Sequence, residues 1–323
     1  MMNVHDLATR VIEGYRITRD DASTILATSD AETIDLLMAA YRIRRRYHGN
    51  KVRIHILMNA KSGMCPEDCS FCSQSSKATT EIDRYRLLSK EELIEGARRA
   101  KEGRAYKYCI VTSTRSPAAK ELETICDAVR VIKKEIGIRI CASLGRLNDE
   151  AAGQLQSAGV NRFNHNLETS ERLFPSICTT HTYQDRVATI KTVQRAGMET
   201  CCGGIVGMNE ADEDIVDLAF AMRELDIDSI PVNFLNSRPG TDLEGALNLS
   251  PLKCLRVLAM FRFANPSKDI RAAGGREINL RALQPLALYA VNSIFSEGYL
   301  TTGGTAINQD HQMIRDMGFE IEE

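Results

Sequence analysis

Three cysteines stand close together in Cys65-Pro66-Glu67-Asp68-Cys69-Ser70-Phe71-Cys72. Thiolates are ligands for soft metals, and three so near one another can wrap a small iron–sulfur cluster. Pro66, Glu67 and Asp68 make the segment polar and turn-like, which is not the setting of cysteines that merely fill a core. A structural zinc site would be closed by four ligands in two short pairs, and no second pair of cysteines at such spacing follows. Cubane clusters normally take four cysteines, so three leave one iron open to a chelator from outside the chain.

The rest of the sequence fits an enzyme that keeps its thiols reduced. Of its 323 residues, 43% are hydrophobic and 26% charged, with a net charge of −2. Nothing resembles a polybasic tail, so nucleic acid is not an expected partner. Met1-Met2-Asn3-Val4-His5-Asp6 lacks the basic start of a signal peptide, and no run approaches the ~18 apolar residues of a membrane span. A cytoplasmic location is therefore expected, without membrane contact. Ten cysteines in such a compartment read as metal ligands, redox groups or small core residues rather than disulfides.

The elements that position these residues alternate. Up to about Tyr47 the chain reads as helical, with Asp30 as a candidate N-cap and Arg44-Arg45-Arg46 as a solvated basic end that suits a helix C-terminus. From Lys51 onward eight β-like runs are expected, at 52–58, 106–113, 137–144, 160–167, 199–206, 228–235, 269–273 and 291–295. Helical stretches lie between them, with start signals at Ser89 with Glu92, at Asn148, and at Ser250 before Pro251. Strand and helix alternating eight times predict an α/β fold, a TIM-type (β/α)8 barrel with an N-terminal helical extension. An open doubly wound sheet is the alternative, but no G-x-G-x-x-G fingerprint supports it. The expected division is residues 1–49 for the extension and 50–323 for the barrel with a short C-terminal tail. The three-cysteine loop then follows the first strand and sits at the catalytic mouth.

Strand parity shows what else faces the interior. Arg162, Asn164, Asn166 and Glu168 share one face, while Phe163, His165 and Leu167 share the other. A wholly polar face is costly toward a helix layer and sensible toward a ligand, which puts His165 in the outer packing. Tyr106, Tyr108 and Ile110 form an outward face that leaves Cys109 inward, and Ile138 with Ile140 does the same for Cys141. Cys201 and Cys202 are adjacent and must point opposite ways, and parity does not decide between them. Cys126 and Cys254 lie on apolar helical stripes and read as core. Cys178 falls in a loop and stays open.

The spacing C-x3-C-x2-C, with Phe71 before its last cysteine, resembles the radical S-adenosylmethionine superfamily. Further stretches resemble the biotin synthase family within it over residues 50 to 321: Gly63-Met64-Cys65-Pro66-Glu67-Asp68-Cys69, Phe163-Asn164-His165-Asn166-Leu167-Glu168-Thr169-Ser170, Gly203-Gly204-Ile205-Val206-Gly207, Ser229-Ile230-Pro231-Val232-Asn233-Phe234-Leu235, Gly275-Arg276-Glu277 and Ala290-Val291-Asn292-Ser293-Ile294-Phe295. The resemblance implies that Cys65, Cys69 and Cys72 hold a 4Fe-4S cluster with S-adenosylmethionine on its open iron, and that Phe71 seats the adenine. It implies an auxiliary 2Fe-2S cluster on Cys109, Cys141, Cys201 and Arg271, the last a residue whose guanidinium is otherwise a charge-balancing cation. Asn166, Glu168 and Arg186 would hold the nucleotide. Asn166 and Asn233 would touch the ureido ring of dethiobiotin, which takes sulfur between two unactivated carbons as 5′-deoxyadenosyl radicals remove two hydrogens. A flavodoxin- or ferredoxin-type donor and a homodimer are implied with it.

Two departures accompany the resemblance. Glu168 is a methylene longer than the family's aspartate, and Cys202 stands where serine is usual, so a share of Cys202 or Cys178 in the auxiliary cluster stays open. The competing functions are another radical enzyme of the same branch, hydrogenase maturase-like or methylornithine mutase-like, and a non-catalytic iron–sulfur protein.

Overall fold

The alternating β and helical runs close on themselves in the computed structural model, which describes residues 3–246 and 249–323. The strands are β1 (Lys51–Lys61), β2 (Lys107–Thr112), β3 (Arg139–Ser143), β4 (Arg162–Asn164), β5 (Glu199–Cys201), β6 (Gly204–Val206), β7 (Ser229–Phe234), β8 (Asp269–Ala272) and β9 (Ser293–Ser296). All pair in parallel, and β9 returns to pair with β1. β5 and β6 are two halves of one stave, since both pair with β7, so the barrel has the eight staves expected of a TIM-type fold. The break between them is steric. A Cβ at Gly203 would lie 1.8 Å from the Pro231 carbonyl oxygen, so only glycine allows the chain this close to its neighbour.

Outside the barrel run α4 (Lys90–Glu102), α5 (Ala119–Glu135), α6 (Asp149–Ala158), a short α7 (Phe174–Ile177), α8 (Tyr183–Arg195), α9 (Asp212–Glu224), α10 (Pro251–Ala264) and, past short turns α11 (Arg276–Leu280) and α12 (Gln284–Ala287), α13 (Ile307–Asp316). Their starts follow the expected chemistry. Ser89 and Glu92 form a reciprocal capping box, Asn148 accepts from the Ala151 N–H, and Ser250 accepts from the Lys253 N–H ahead of Pro251.

Three helices precede the barrel: α1 (Val4–Ile12), α2 (Arg19–Leu26) and α3 (Thr33–His48). Their apolar faces share one continuous core with α9 and α10. Asp30 does not cap the third of them. It opens a 3-10 turn, Asp30–Glu32, and its carboxylate pairs with Arg256 on α10 at 2.5 Å. Arg44 is not solvated either. It is fully buried and donates to the carbonyls of Val291 at 3.1 Å and Lys51 at 2.6 Å, tying the helix end to the bottom of the barrel. A last strand, β10 (Glu320–Glu322), pairs with residues 51–53 of β1, where Arg53 meets Glu322 at 3.0 Å. Cys126 lies in the apolar layer behind β2 and β3 and Cys254 in the one behind β7 and β8, both as core residues.

Candidate active site

The inner face of the barrel and the loops at the C-terminal ends of its strands enclose a cavity of about 300 Å3. The residues expected to hold the clusters, nucleotide and substrate line it: Cys65, Cys69, Phe71 and Cys72 from the loop after β1; Cys109 from β2, Cys141 from β3 and Cys201 from β5; Asn166 and Glu168 beyond β4; Arg186 from α8; Asn233 from β7; and Arg271 from β8, while Arg162 turns away to pair with Asp269. Cys202 does not line it. It packs in the outer core, which settles the choice that parity left open. Cys178 lies behind Cys69, with its Sγ 3.8 Å from that of Cys69, and so belongs beside the loop cysteines rather than beside Cys109, Cys141 and Cys201. His165 is a correction. It lines the cavity mouth, and its buried Nε2 has no partner among the described residues, because the backbone leaves strand geometry after Asn164 and parity stops applying there.

The cysteine loop has little regular structure of its own and is held by carboxylates. Asp68 accepts from the backbone N–H groups of Thr179 at 2.9 Å and Thr180 at 3.2 Å, and pairs with Lys77 at 3.0 Å. Glu67 accepts from Arg115 Nε at 2.6 Å and His181 Nδ1 at 2.9 Å, and from the Thr180 hydroxyl. His181 Nε2 in turn accepts from Arg186 Nε at 2.9 Å, which fixes the tautomer with the proton on Nδ1. Burial opposes ionisation of both carboxylates, but these donors win and hold Asp68 well below, and Glu67 below, the usual range. Sequence reasoning missed this clasp. The spacing Cys178-Thr179-Thr180-His181 is the one signal that could have pointed to it.

The thiols themselves resist ionisation. Burial pushes Cys65 up and Cys72 up to about 11, and the bond to Cys178, then burial, push Cys69 up. Metal ligation must therefore displace protons. The donor set fits a cubane cluster with one iron left to a small-molecule ligand, since three loop thiols face the cavity while Cys178 is turned away behind Cys69.

Deeper in the barrel the geometry is set by strand register. Cys109 lies directly across from Cys141, and Cys201 lies across from Asn164 on β4. Hydrogen bonding to Cys109 pushes the Cys141 thiol up to about 12, and bonding to Cys141 pushes Cys201 well up. Arg271 stands beside them. Its Nη1 is 3.8 Å from Cys201 Sγ, while Nη2 donates to Ser229 Oγ at 2.8 Å, Asp269 Oδ2 at 3.2 Å and His55 Nε2 at 3.2 Å. Burial lowers the His55 pKa far below its usual value, with Arg271 adding to the effect, so its imidazole is neutral and accepts. Arg271 Nε is buried and has no partner among the described residues. Three thiols and a vacant guanidinium N–H fit an electron-rich iron–sulfur cluster.

Below this layer Asp269 anchors the charges. Its Oδ2 accepts from Arg162 at 3.0 Å and Ser229 at 2.9 Å, and its Oδ1 from Ser293 at 2.6 Å and Asn292 at 3.0 Å. Burial opposes its ionisation, yet Arg271 and Arg162 hold it well below the carboxylate range.

Between the two cysteine groups runs the amide face. Asn164 Nδ2 donates to Asn166 Oδ1 at 3.1 Å and contacts Cys201 Sγ at 3.3 Å; Gly203 N also donates to Asn166 Oδ1 at 3.1 Å. Arg186 Nη1 meets Glu168 Oε1 at 3.3 Å and the Asn166 carbonyl at 2.8 Å. Glu168 sits at φ 69°, a conformation side chains rarely adopt, and burial raises its pKa despite Arg186. Asn233 donates to the Gly204 carbonyl at 3.0 Å and accepts from Gly274 N at 2.9 Å. Asn166, whose Nδ2 also donates to Glu168 Oε2 at 3.4 Å, and Asn233 therefore each keep one N–H free for a ligand. Tyr299, Thr301 and Thr302, after β9, also line the cavity; no spacing in the sequence marks them.

Comparison with known proteins agrees with this geometry. Residues 59–222 match the Radical SAM superfamily and residues 231–320 the Biotin and Thiamin Synthesis associated domain. A biotin synthase of Lysinibacillus sphaericus (strain C3-41) is 52% identical over 321 residues, covering 99% of this chain and 97% of the relative. One from Geobacillus thermodenitrificans (strain NG80-2) is 52% identical over 322 residues, covering 100% and 97%. The crystal structure of a methylornithine synthase superposes with a TM-score of 0.87 at 24% identity, covering 98% of this chain and 97% of that one, a likeness of fold. No helix among the described residues is long and apolar enough to cross a membrane.

Proposed function

The chain belongs to the biotin synthase family of the radical S-adenosylmethionine superfamily, and from that premise we propose how its cavity divides the labour of inserting sulfur into dethiobiotin. Cys65, Cys69 and Cys72 hold the 4Fe-4S cluster, and Cys109, Cys141 and Cys201 hold the auxiliary 2Fe-2S cluster. Bound there, the first cluster with S-adenosylmethionine supplies a carbon radical able to take hydrogen from unactivated C–H bonds, and the second supplies the sulfur.

The protein's own groups bind, orient and exclude water. Arg186, braced by His181 and Glu67, sets Glu168 toward the ribose hydroxyls of the nucleotide, and Phe71 packs against its adenine. Asn166 and Asn233 have their amides fixed by backbone on one side, which leaves a donor from each for a ureido oxygen. Arg271 serves as a cation held against the auxiliary cluster by Asp269. It keeps its charge because that carboxylate outweighs burial, and its unpartnered Nε–H is the group it offers. Substrate between the two cysteine groups is held near both reaction partners, an effective-concentration advantage that a closed barrel preserves by keeping water out. The electron comes from a flavodoxin- or ferredoxin-type donor, and the enzyme works as a homodimer with residues 50–323 as its catalytic barrel.

The observation that carries this reading is the convergence of two separate thiol groups on one cavity with an amide face between them. Anaerobic, reconstituted protein given a reductant should convert dethiobiotin to biotin. Cys65→Ala should abolish nucleotide cleavage, whereas Cys109→Ala should keep part of the cleavage and lose biotin. Biotin formed by Cys109→Ala would remove the sulfur-donor assignment. Reconstituted protein that holds no more than about four irons per chain would favour a one-cluster enzyme of the same branch.

A further inference from the structure

Cys178 is a buried thiol that the proposed chemistry does not use. Its sulfur is 3.8 Å from that of Cys69, and the two side chains approach from opposite sides. Cys69 lines the cavity and Cys178 does not. The backbones that carry them are already fastened together on both flanks. The Ser70 N–H donates to the Ile177 carbonyl at 2.9 Å, and the Thr179 N–H donates to the Asp68 carboxylate at 2.9 Å. The two sulfurs are therefore presented to each other, 3.8 Å apart, by loops fastened together on both flanks.

We propose that Cys178 is a resolving thiol for Cys69 in the cluster-free protein, converting an oxidised Cys69 into a reducible Cys69–Cys178 disulfide. The proposal rests on Cys69 being a cluster ligand, because in the loaded enzyme iron would occupy its sulfur and the disulfide could not form. The oxidant is a peroxide entering the cavity. The Cys69 S–H, which donates toward the Cys178 sulfur at 3.8 Å, is deprotonated as its sulfur attacks one peroxide oxygen; the O–O bond breaks, and the departing hydroxide takes up that proton as water. The Cys178 sulfur then attacks the sulfenic sulfur, the S–O bond breaks, and the oxygen leaves with the Cys178 proton as a second water. Two thiols have given two electrons to one peroxide. Without a resolving thiol the sulfenic acid continues to sulfinic and sulfonic acids, which thiol reductants do not reverse. With it, a ligand exposed to oxidation before its cluster arrives is kept recoverable.

The test uses the full chain, stripped of iron and treated with hydrogen peroxide, then alkylated and digested with trypsin. The expected product links the peptide 62–77 to the peptide 173–186, with fragmentation placing the bond between Cys69 and Cys178. A thiol reductant should then restore iron uptake to that of untreated protein. In Cys178→Ser, and in Cys178→Thr as a second variant, untreated protein should take up iron normally, whereas peroxide should leave Cys69 as sulfinic or sulfonic acid and iron uptake unrestored by reductant. A bond within 62–77 with Cys178 free to alkylate, or equal over-oxidation of Cys69 in native and variant protein, overturns the proposal. The mapping arm does not depend on what Cys69 binds. Formation of the disulfide without any effect on iron uptake would overturn instead the assignment of Cys69 as a ligand.

Discussion

Two groups of three cysteines face the same cavity, but they are held in unlike ways. Cys109, Cys141 and Cys201 stand on strands whose register fixes their backbones, above a buried carboxylate that binds two guanidinium groups. Cys65, Cys69 and Cys72 stand on a loop with almost no ladder of its own, and what orders it is two carboxylates reaching to the Thr179–His181 turn. The inner group is part of the barrel's stability. The loop group is a fastening laid on top of it, which can open without unfolding the rest.

That contrast can be broken most forcefully at Asp269. Asp269→Asn leaves Arg162 and Arg271 buried without their shared anion, so unfolding by urea should show a loss of about 3–5 kcal/mol. A change within 0.5 kcal/mol would mean that register alone holds the inner group. Asp68→Asn should act on the other side of the comparison. Losing charge-assisted bonds to Thr179, Thr180 and Lys77 should cost about 1.5–3 kcal/mol locally. It should appear as faster amide exchange in the loop and lower iron content at the loop cluster, with a smaller shift of the global midpoint than at Asp269.

Acid and alkali should sharpen the same difference. Asp68 and Asp269 have depressed pKa values, so their stabilisation is fully present above the unfolded value of about 3.9 and is lost only as pH falls well below it. Several thiols run the other way. Cys72 at about 11 and Cys141 at about 12 are raised, so cluster-free protein should lose stability as pH rises from about 8.5 toward those values. Thermal midpoints of cluster-free protein between pH 7 and pH 11 check this; a flat profile would contradict it. The smallest effect belongs to Lys77→Ala. Its ammonium is more than half exposed, so the change should leave stability and iron content nearly as they were. A large effect there would show that the clasp depends on its outer edge.

Much of this was legible in the sequence because period and spacing are local. Two-residue alternation was enough to turn Cys109, Cys141 and Asn164 inward, and eight alternating units were enough to expect a barrel. Cys201 and Cys202 could not be told apart, because β5 is only three residues long and the stave breaks at Gly203. His165 was misplaced for a related reason, its alternation being read past the end of β4. The charge network was hidden differently. Asp269, Ser229 and Ser293 open three strands and Asn292 precedes one, and each alone is an ordinary polar residue near a strand start. The Glu67 and Asp68 clasp joins segments more than a hundred positions apart, a distance over which no periodicity carries information.

The pairing of β1 with both β9 and β10 also sets an order in time. The strand that leads into the cysteine loop is among the first to leave the ribosome, yet its partners on one side lie at residues 293–322. At ~5–20 residues per second, β1 waits roughly 10–50 s for them. Until then β1 lacks its partners on one side, so the barrel wall that carries the cysteine loop is completed only when residues 293–322 have been made.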